Sequence, residues 1–175
     1  MTLGYALIDT ALGWVGFAGS PLGLHRVILP QSSSERVVEL LGIRTTNLER
    51  DISVFGDLPE QLRAYLGGQK VSFDDKVDFV GTTGFHQAVW EATRSIPYGE
   101  RRSYAWVARQ VGRPDAARAV GQAMARNPVP LVVPCHRVIA SGRGLGGYGG
   151  GLEMKRQLLE MESRWVSQST GSARG

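Results

Sequence analysis

The chain has 175 residues, 42% of them hydrophobic and 21% charged, with a net charge of +4. That is enough length to bury a core in one large or two small domains. No apolar run approaches the roughly 20 residues needed to cross a bilayer, and MTLGYALIDT lacks the basic start, apolar stretch and small-residue cleavage site of a secretory signal. The only cysteine, Cys135, leaves no internal disulfide to form, so a reducing compartment, the cytoplasm, is expected, with no membrane partner.

The first thirty residues read as three strands, LGYALI, GWVGFAG and LHRVIL, divided by the turn chemistry of DTALG and SPLG. Ser32-Ser33-Ser34-Glu35 is a capping-box pattern ahead of ERVVELLG, a short helix closed by Gly42. Asp57-Leu58-Pro59-Glu60 repeats that grammar before EQLRAYLGG, and QKVSFDDKVDF alternates like a further strand. Residues 1–80 thus form a small α/β scaffold without visible chemistry.

After Gly81-Thr82-Thr83-Gly84 the pattern turns helical. Phe85, Val89, Ala92 and Ile96 make an apolar stripe that Pro97-Tyr98-Gly99 stops. Ser103 is a suitable N-cap for YAWVARQV, which Gly112 closes, and Asp115 for AARAVGQAMAR, which ends at Asn127-Pro128. Two short helices joined by a glycine-containing turn make a helix-turn-helix, a geometry also common in proteins that never touch DNA. The second of these helices is nearly bare: Ala116, Ala117, Ala119, Gly121 and Ala123 surround Arg118, the one long side chain of its first two turns. Such a surface suits tight packing against a core, and equally close approach to a duplex groove.

Charge is distributed unevenly. Residues 1–100 hold 8 Lys/Arg against 12 Asp/Glu, whereas residues 101–144 hold eight arginines, no lysine and only Asp115. A solvated face normally mixes signs, and arginine without lysine suits phosphate forks and stacking on bases.

VVPCHRVI, residues 132–139, sets Cys135 between a proline and a histidine. A lone cysteine is commonly an inert core residue. Here Pro134 stiffens the approach, and a thiol beside His136, with Arg137 and Arg143 near in sequence, has the surroundings of a nucleophile. Spacing alone leaves His136 open as a structural histidine. Residues 142–147 formally satisfy GxGxxG, but no βαβ frame surrounds them, which excludes a dinucleotide site. The glycine-rich stretch reads instead as a loop that approaches a flat ligand or moves as a lid, with Tyr148 stacking or anchoring it. His25, His86, His136 and Cys135 are too scattered for a zinc site, and no metal or cofactor is expected.

PCHRVI, with RNPVP before it and GYGGGLEMKRQLLEME after it, resembles the O-6-alkylguanine-DNA alkyltransferases, or methylated-DNA–protein-cysteine methyltransferases. The likeness extends upstream through IPYGERRSYAWVARQVG and DAARAVGQAMARNPVP, nearly continuously over residues 85–162, and is weaker over residues 1–80. It implies an α+β fold: a small N-terminal α/β, ribonuclease H-like domain (1–80), then a mostly helical C-terminal domain with a helix-turn-helix (81–166). Residues 167–175 are left as a disordered tail. It also implies a monomer that binds double-stranded DNA containing alkylated guanine through the minor groove, flips the base out and takes its O-6-alkyl group, or the O-4-alkyl group of thymine, once and irreversibly.

The same resemblance implies residue roles. Cys135 accepts the alkyl group, His136 takes the thiol proton through a water, and Glu162 orients His136. Asn127 braces the helix-turn-helix against the site, and Tyr104 hydrogen-bonds the flipped base. Arg118 fills the gap in the stack, on a DNA-binding surface with Ser103, Ala116, Ala117, Ala119 and Gly121. Tyr104, Val138, Tyr148, Gly149 and Gly150 form the base pocket. Position 149 departs from the many relatives that carry serine there, and the two zinc-binding cysteines of some eukaryotic members are absent. A cysteine hydrolase would leave the arginine island unexplained. A lesion binder of the alkyltransferase-like kind would carry tryptophan in place of Cys135.

Overall fold

The computed structural model describes residues 3–45, 47–142 and 144–172; Arg143 lies outside them. The chain divides into two compact units, one of residues up to 80 together with 128–132, the other of residues 81–127 and 133 onward. The first therefore includes a five-residue segment that the sequence assigns to the second. The fold is α+β, and none of the described helices is long and apolar enough to cross a membrane.

In the first unit β1 (Leu3–Thr10), β2 (Gly13–Ser20) and β3 (Gly23–Gln31) form an antiparallel meander, as their turn signals predict. A three-residue strand, β4 (Leu48–Arg50), joins β1 in parallel, giving the order β3-β2-β1-β4. Helix α1 (Ser34–Leu41) packs Val37 and Leu41 on Ala18 and Ile28, and Ser33 caps it by accepting from the Arg36 N–H. Helix α2 (Leu58–Leu66) buries Leu58, Leu62, Tyr65 and Leu66. Asp57 holds its N-cap position without a side-chain cap hydrogen bond.

QKVSFDDKVDF is not a strand. It contributes one bridge, Val77 to Leu24, fixed by Leu24 N–H donating to Lys76 O and Asp78 N–H donating to Leu24 O. Alternation needs a partner along its whole length, and further along the β3 edge Val27 donates its N–H to Pro128 O instead.

In the second unit α3 (Gly84–Arg94) starts at a Thr83 cap and ends two residues before Ile96, which is nonetheless buried. Helix α4 (Tyr104–Gln110) is capped by Ser103, whose hydroxyl accepts from the Trp106 N–H at 3.0 Å. The next helix, α5 (Ala117–Ala125), is capped by Ala116 rather than Asp115 and so begins a turn-residue later than its pattern suggests. Its Val120, Ala123 and Met124 are buried, and Trp90 Nε1 of α3 donates to Ala123 O at 2.9 Å. Part of the small-residue surface therefore packs inward while Arg118 stands exposed. Two-residue strands β5 (Arg102–Ser103) and β6 (Val138–Ile139) pair in parallel, tying the start of α4 to the segment just past Cys135. The last helix, α6 (Leu152–Ser172), continues as helix through 167–172, where the sequence suggests disorder.

Gly16 shows how closely α1 sits on the sheet: a Cβ there would lie 2.2 Å from Val37 Cγ1 and 2.9 Å from Leu41 Cδ1. Gly16→Ala should destabilise the protein by about 1–3 kcal/mol through overpacking, measured as a lower midpoint in urea with an unchanged slope.

Candidate active site

The nucleophile candidate sits in a tight turn. Pro134 holds φ at −79° and ψ at 62°, and Cys135–Arg137 form a single 3-10 turn. Cys135 donates its backbone N–H to Val133 O at 2.8 Å, and the Arg137 N–H reaches Pro134 O at 3.0 Å. The sulfur is nearly buried, and Asn127 Nδ2 donates to it at 3.1 Å while also donating to Val133 O at 2.9 Å. One amide thus fixes both the turn and the thiol. Burial pushes the Cys135 thiol up, and the Asn127 hydrogen bond, the Lys155 charge and nearby backbone N–H groups offset only part of that. At rest the sulfur therefore holds its proton, and reaction requires a base.

His136, 0% exposed, meets Glu162 through Nε2, at 2.8 Å from Oε1. Arg137 grips the same carboxylate, with Nε 3.1 Å from both oxygens and Nη2 2.9 Å from Oε1. Gly99 adds a backbone N–H to Oε2 at 3.0 Å. Burial alone would raise the Glu162 carboxyl, but the hydrogen bonds and charges of His136 and Arg137 outweigh it and bring it down to about 2. An ionised Glu162 accepts from Nε2–H, which leaves Nδ1 as the basic nitrogen of a neutral ring. Burial lowers His136, Glu162 raises it, and Arg137 and Lys155 lower it again. Arg137 was expected to lend its charge to the thiol; instead Glu162 neutralises it. Its Nη1 donates to Ile96 O at 2.8 Å and its guanidinium lies 5.5 Å from the Tyr98 ring centroid.

Beside the sulfur lies a cavity of about 470 Å³, lined by Tyr104, Ala117, Arg118, Gly121, Met124, Ala125, Cys135, Gly147, Tyr148 and Gly149. Its wall is the glycine-rich loop. Gly147 donates its N–H to the Tyr104 hydroxyl, and at Gly146 (φ +74°) a Cβ would lie 2.5 Å from that oxygen. Only glycine fits there, on both conformation and space. Burial raises Tyr104, with the charge of Cys135 adding to it, so its phenol stays protonated and can donate. The Tyr148 hydroxyl is turned inward and buried, and burial, then the charges of Cys135 and Glu162, push it well above its usual range. Lys155, fully buried on α6, anchors the loop by donating to Val138 O at 2.7 Å, Leu145 O at 2.5 Å and Gly147 O at 3.3 Å.

Among the sequence candidates, the structure brings Cys135, Tyr104, Ala117, Arg118, Gly121, Tyr148 and Gly149 to one cavity, with Asn127, His136 and Glu162 behind it. Val138 and Gly150 are not on its wall: Val138 is buried and offers its carbonyl to Lys155 instead. Ala116 and Ser103 serve as N-caps, and Ala119 points off the cavity wall. Met124, Ala125 and Lys155 were not singled out as site residues, Gly147 only as part of the glycine-rich loop and Arg137 only as a charge near the thiol. Lys155 had a legible signal, since it shares one helical face with buried Leu158, Leu159 and Glu162. No group of three or more His, Cys, Asp or Glu among the described residues is placed to hold a metal ion.

Comparison with known proteins shows the family. The family profile described as 6-O-methylguanine DNA methyltransferase, DNA binding domain, matches residues 84–164. A methylated-DNA–protein-cysteine methyltransferase of Mycobacterium tuberculosis is 42% identical over 158 residues, covering 90% of this chain and 91% of the relative. The chain belongs to the methylated-DNA–protein-cysteine methyltransferase family. The crystal structure of Mycobacterium tuberculosis OGT in complex with DNA superposes with a TM-score of 0.78 at 42% identity, over 93% of this chain and 94% of that one. The O6-methylguanine-DNA methyltransferase of Pyrococcus kodakaraensis strain KOD1 gives 0.66 at 29% identity, over 92% and 99%. The methyltransferase fold is thus shared along nearly the whole chain.

Glu162→Gln leaves the Arg137 guanidinium buried without its counter-charge and should destabilise the protein by about 3–5 kcal/mol. A carboxyl depressed in the fold adds stability that is whole above its ordinary 4.5 and is lost as pH falls towards about 2. Denaturant titrations across that window should show this acid limb in the parent protein and its loss in the variant.

Proposed function

We propose that the protein repairs DNA by moving the alkyl group from O-6 of guanine, or O-4 of thymine, to its own Cys135, once per molecule. The observation that carries this reading is a thiol at the wall of a base-sized cavity, with a histidine–glutamate–arginine cluster behind it and an exposed arginine at the cavity's edge. Family membership supports the reaction class, and the Mycobacterium tuberculosis relative crystallised with DNA supports the partner.

The chemistry follows from the groups present. The reacting carbon is saturated, so no tetrahedral oxyanion forms and no oxyanion hole is needed. The Cys135 proton passes to His136 Nδ1, directly or through water, and the S–C bond forms as the O–C bond of the base breaks. The bonding pair goes to the base, which Tyr104 stabilises by donating its hydroxyl proton in a hydrogen bond; a positioned donor of this kind is typically worth about 10²–10⁴-fold. Asn127 holds the sulfur in line. The product is a thioether, which no group in the site can hydrolyse, so turnover stops at one.

The base must leave the stack to reach the cavity, and Arg118, exposed on the bare α5 surface, fills the gap from the minor groove, with Ala117 and Gly121 allowing close approach. The absence of long side chains beside it serves that approach.

Incubation with duplex DNA carrying O-6-methylguanine should add one methyl mass to the Cys135 peptide, never more than one per chain, by mass spectrometry. Cys135→Ser should accept none while still binding the duplex in a mobility shift. Repeated turnover would overturn the reading. Arg118→Ala should slow transfer from duplex by about tenfold or more yet change transfer from free O-6-benzylguanine by less than about twofold, because only the duplex needs its base extruded. Equal losses on both substrates would remove the gap-filling role.

A further inference from the structure

The arginine island divides by partner. Glu100 pairs with Arg102 and Glu162 with Arg137, whereas Arg118 and Arg126 are exposed and, among the described residues, have no carboxylate in ion-pair reach. These two stand on one helix. Positions 118, 122 and 126 follow at intervals of four, so Arg118, Gln122 and Arg126 run as one row along α5, all exposed. Val120, Ala123 and Met124 are buried on the opposite side. Arg126 is the C-cap of α5, its N–H on Ala123 O at 3.1 Å, and the helical rise puts it about 12 Å along the axis from Arg118. No charged residue separates the two. Arg118 lines the cavity with Ala117, Gly121 and Ala125, and Arg126 does not. Arg126 is thus a cation to which the chemistry above gives no task.

We propose that Arg126 grips a DNA backbone phosphate while Arg118 fills the stack, so that one end of α5 opens the duplex and the other holds it. The minor groove is about 6 Å wide. A cation about 12 Å from one inserted at the groove floor therefore meets a phosphate strand rather than a base edge. A guanidinium forks onto phosphate oxygens, and one without a carboxylate does so at no loss of an ion pair. The grip also sets a register. Asn127, the next residue, donates to Cys135 Sγ at 3.1 Å, so one peptide unit separates the phosphate contact from the residue that holds the sulfur. Arg126 is a positioning residue: it touches neither the base nor the alkyl group. This role rests on the minor-groove reading of α5, and phosphate binding is measurable apart from alkyl transfer.

Fluorescence anisotropy with undamaged duplex, from about 50 to 200 mM salt, reads the contact, because each neutralised phosphate adds about −0.9 to the slope of log K against log salt. Arg126→Ala should make that slope shallower by about 0.9, and the parent's advantage in affinity should shrink about three- to fourfold across that range. Arg126→Gln, which keeps a polar stem without the charge, should match it, and Arg126→Lys should keep the parent slope. Arg156 of α6 is already paired with Glu153, so Arg156→Ala should move the slope by less than about 0.2. In single-turnover transfer from duplex carrying O-6-methylguanine, Arg126→Ala should need about fivefold more DNA for half-saturation, with the saturated rate within about twofold of the parent. An unchanged slope in the alanine and glutamine variants overturns the proposal, as does an equal fall in Arg156→Ala. A residue that merely closed the helix would, on replacement, alter the reaction of Cys135 with iodoacetamide and leave the slope alone. Should the alanine variant not fold, the glutamine variant decides. A slope that falls with Arg126 in a protein that takes up no alkyl group defeats the alkyl-transfer reading alone; transfer with an indifferent slope defeats the phosphate grip alone.

Discussion

The site depends on one carboxylate. Glu162 accepts at once from His136 and Arg137 of the 3-10 turn and from the Gly99 backbone. His136 follows the nucleophile in sequence, Arg137 follows His136, and Gly99 ends the turn after α3. A buried charge held by several donors is stable only while all of them stay in place. The cluster therefore ties the 3-10 turn that carries the thiol to α6.

This arrangement also decides what kind of base is present. An ionised glutamate alone beside a histidine favours the imidazolium. With Arg137 on the same oxygens, the carboxylate is neutralised, and burial keeps the ring uncharged. The result is a neutral ring on the residue that follows a protonated thiol, which suits the proton transfer proposed above. In the proposed chemistry consecutive residues thus serve as nucleophile, base and the charge that tunes the base.

The cavity wall obeys a different constraint. Tyr104 can face the thiol only if the loop opposite has no side chain at 146, and the loop holds its shape because Lys155 gathers its carbonyls. Backbone and a single ammonium replace the apolar contacts that normally order a loop. A wall built this way presents donors and acceptors close to a flat ligand, where side chains would fill the space.

The sequence by itself determined the meander, the helix caps at Ser33 and Ser103, the helix-turn-helix and the PCHRV centre, because each rests on local rules: period, capping and turn chemistry. It misjudged residues 69–79, where alternation suggested a strand, because strand pairing depends on a free partner edge and Pro128 already occupies part of that edge. It assigned Arg137 to the thiol and overlooked Lys155, although Lys155 lies on the inward face of its helix. Only the tertiary structure could show which carboxylate faces the arginine and which carbonyls face the lysine. Burial and charge pairing are set by groups tens of residues apart, and no local pattern encodes that meeting.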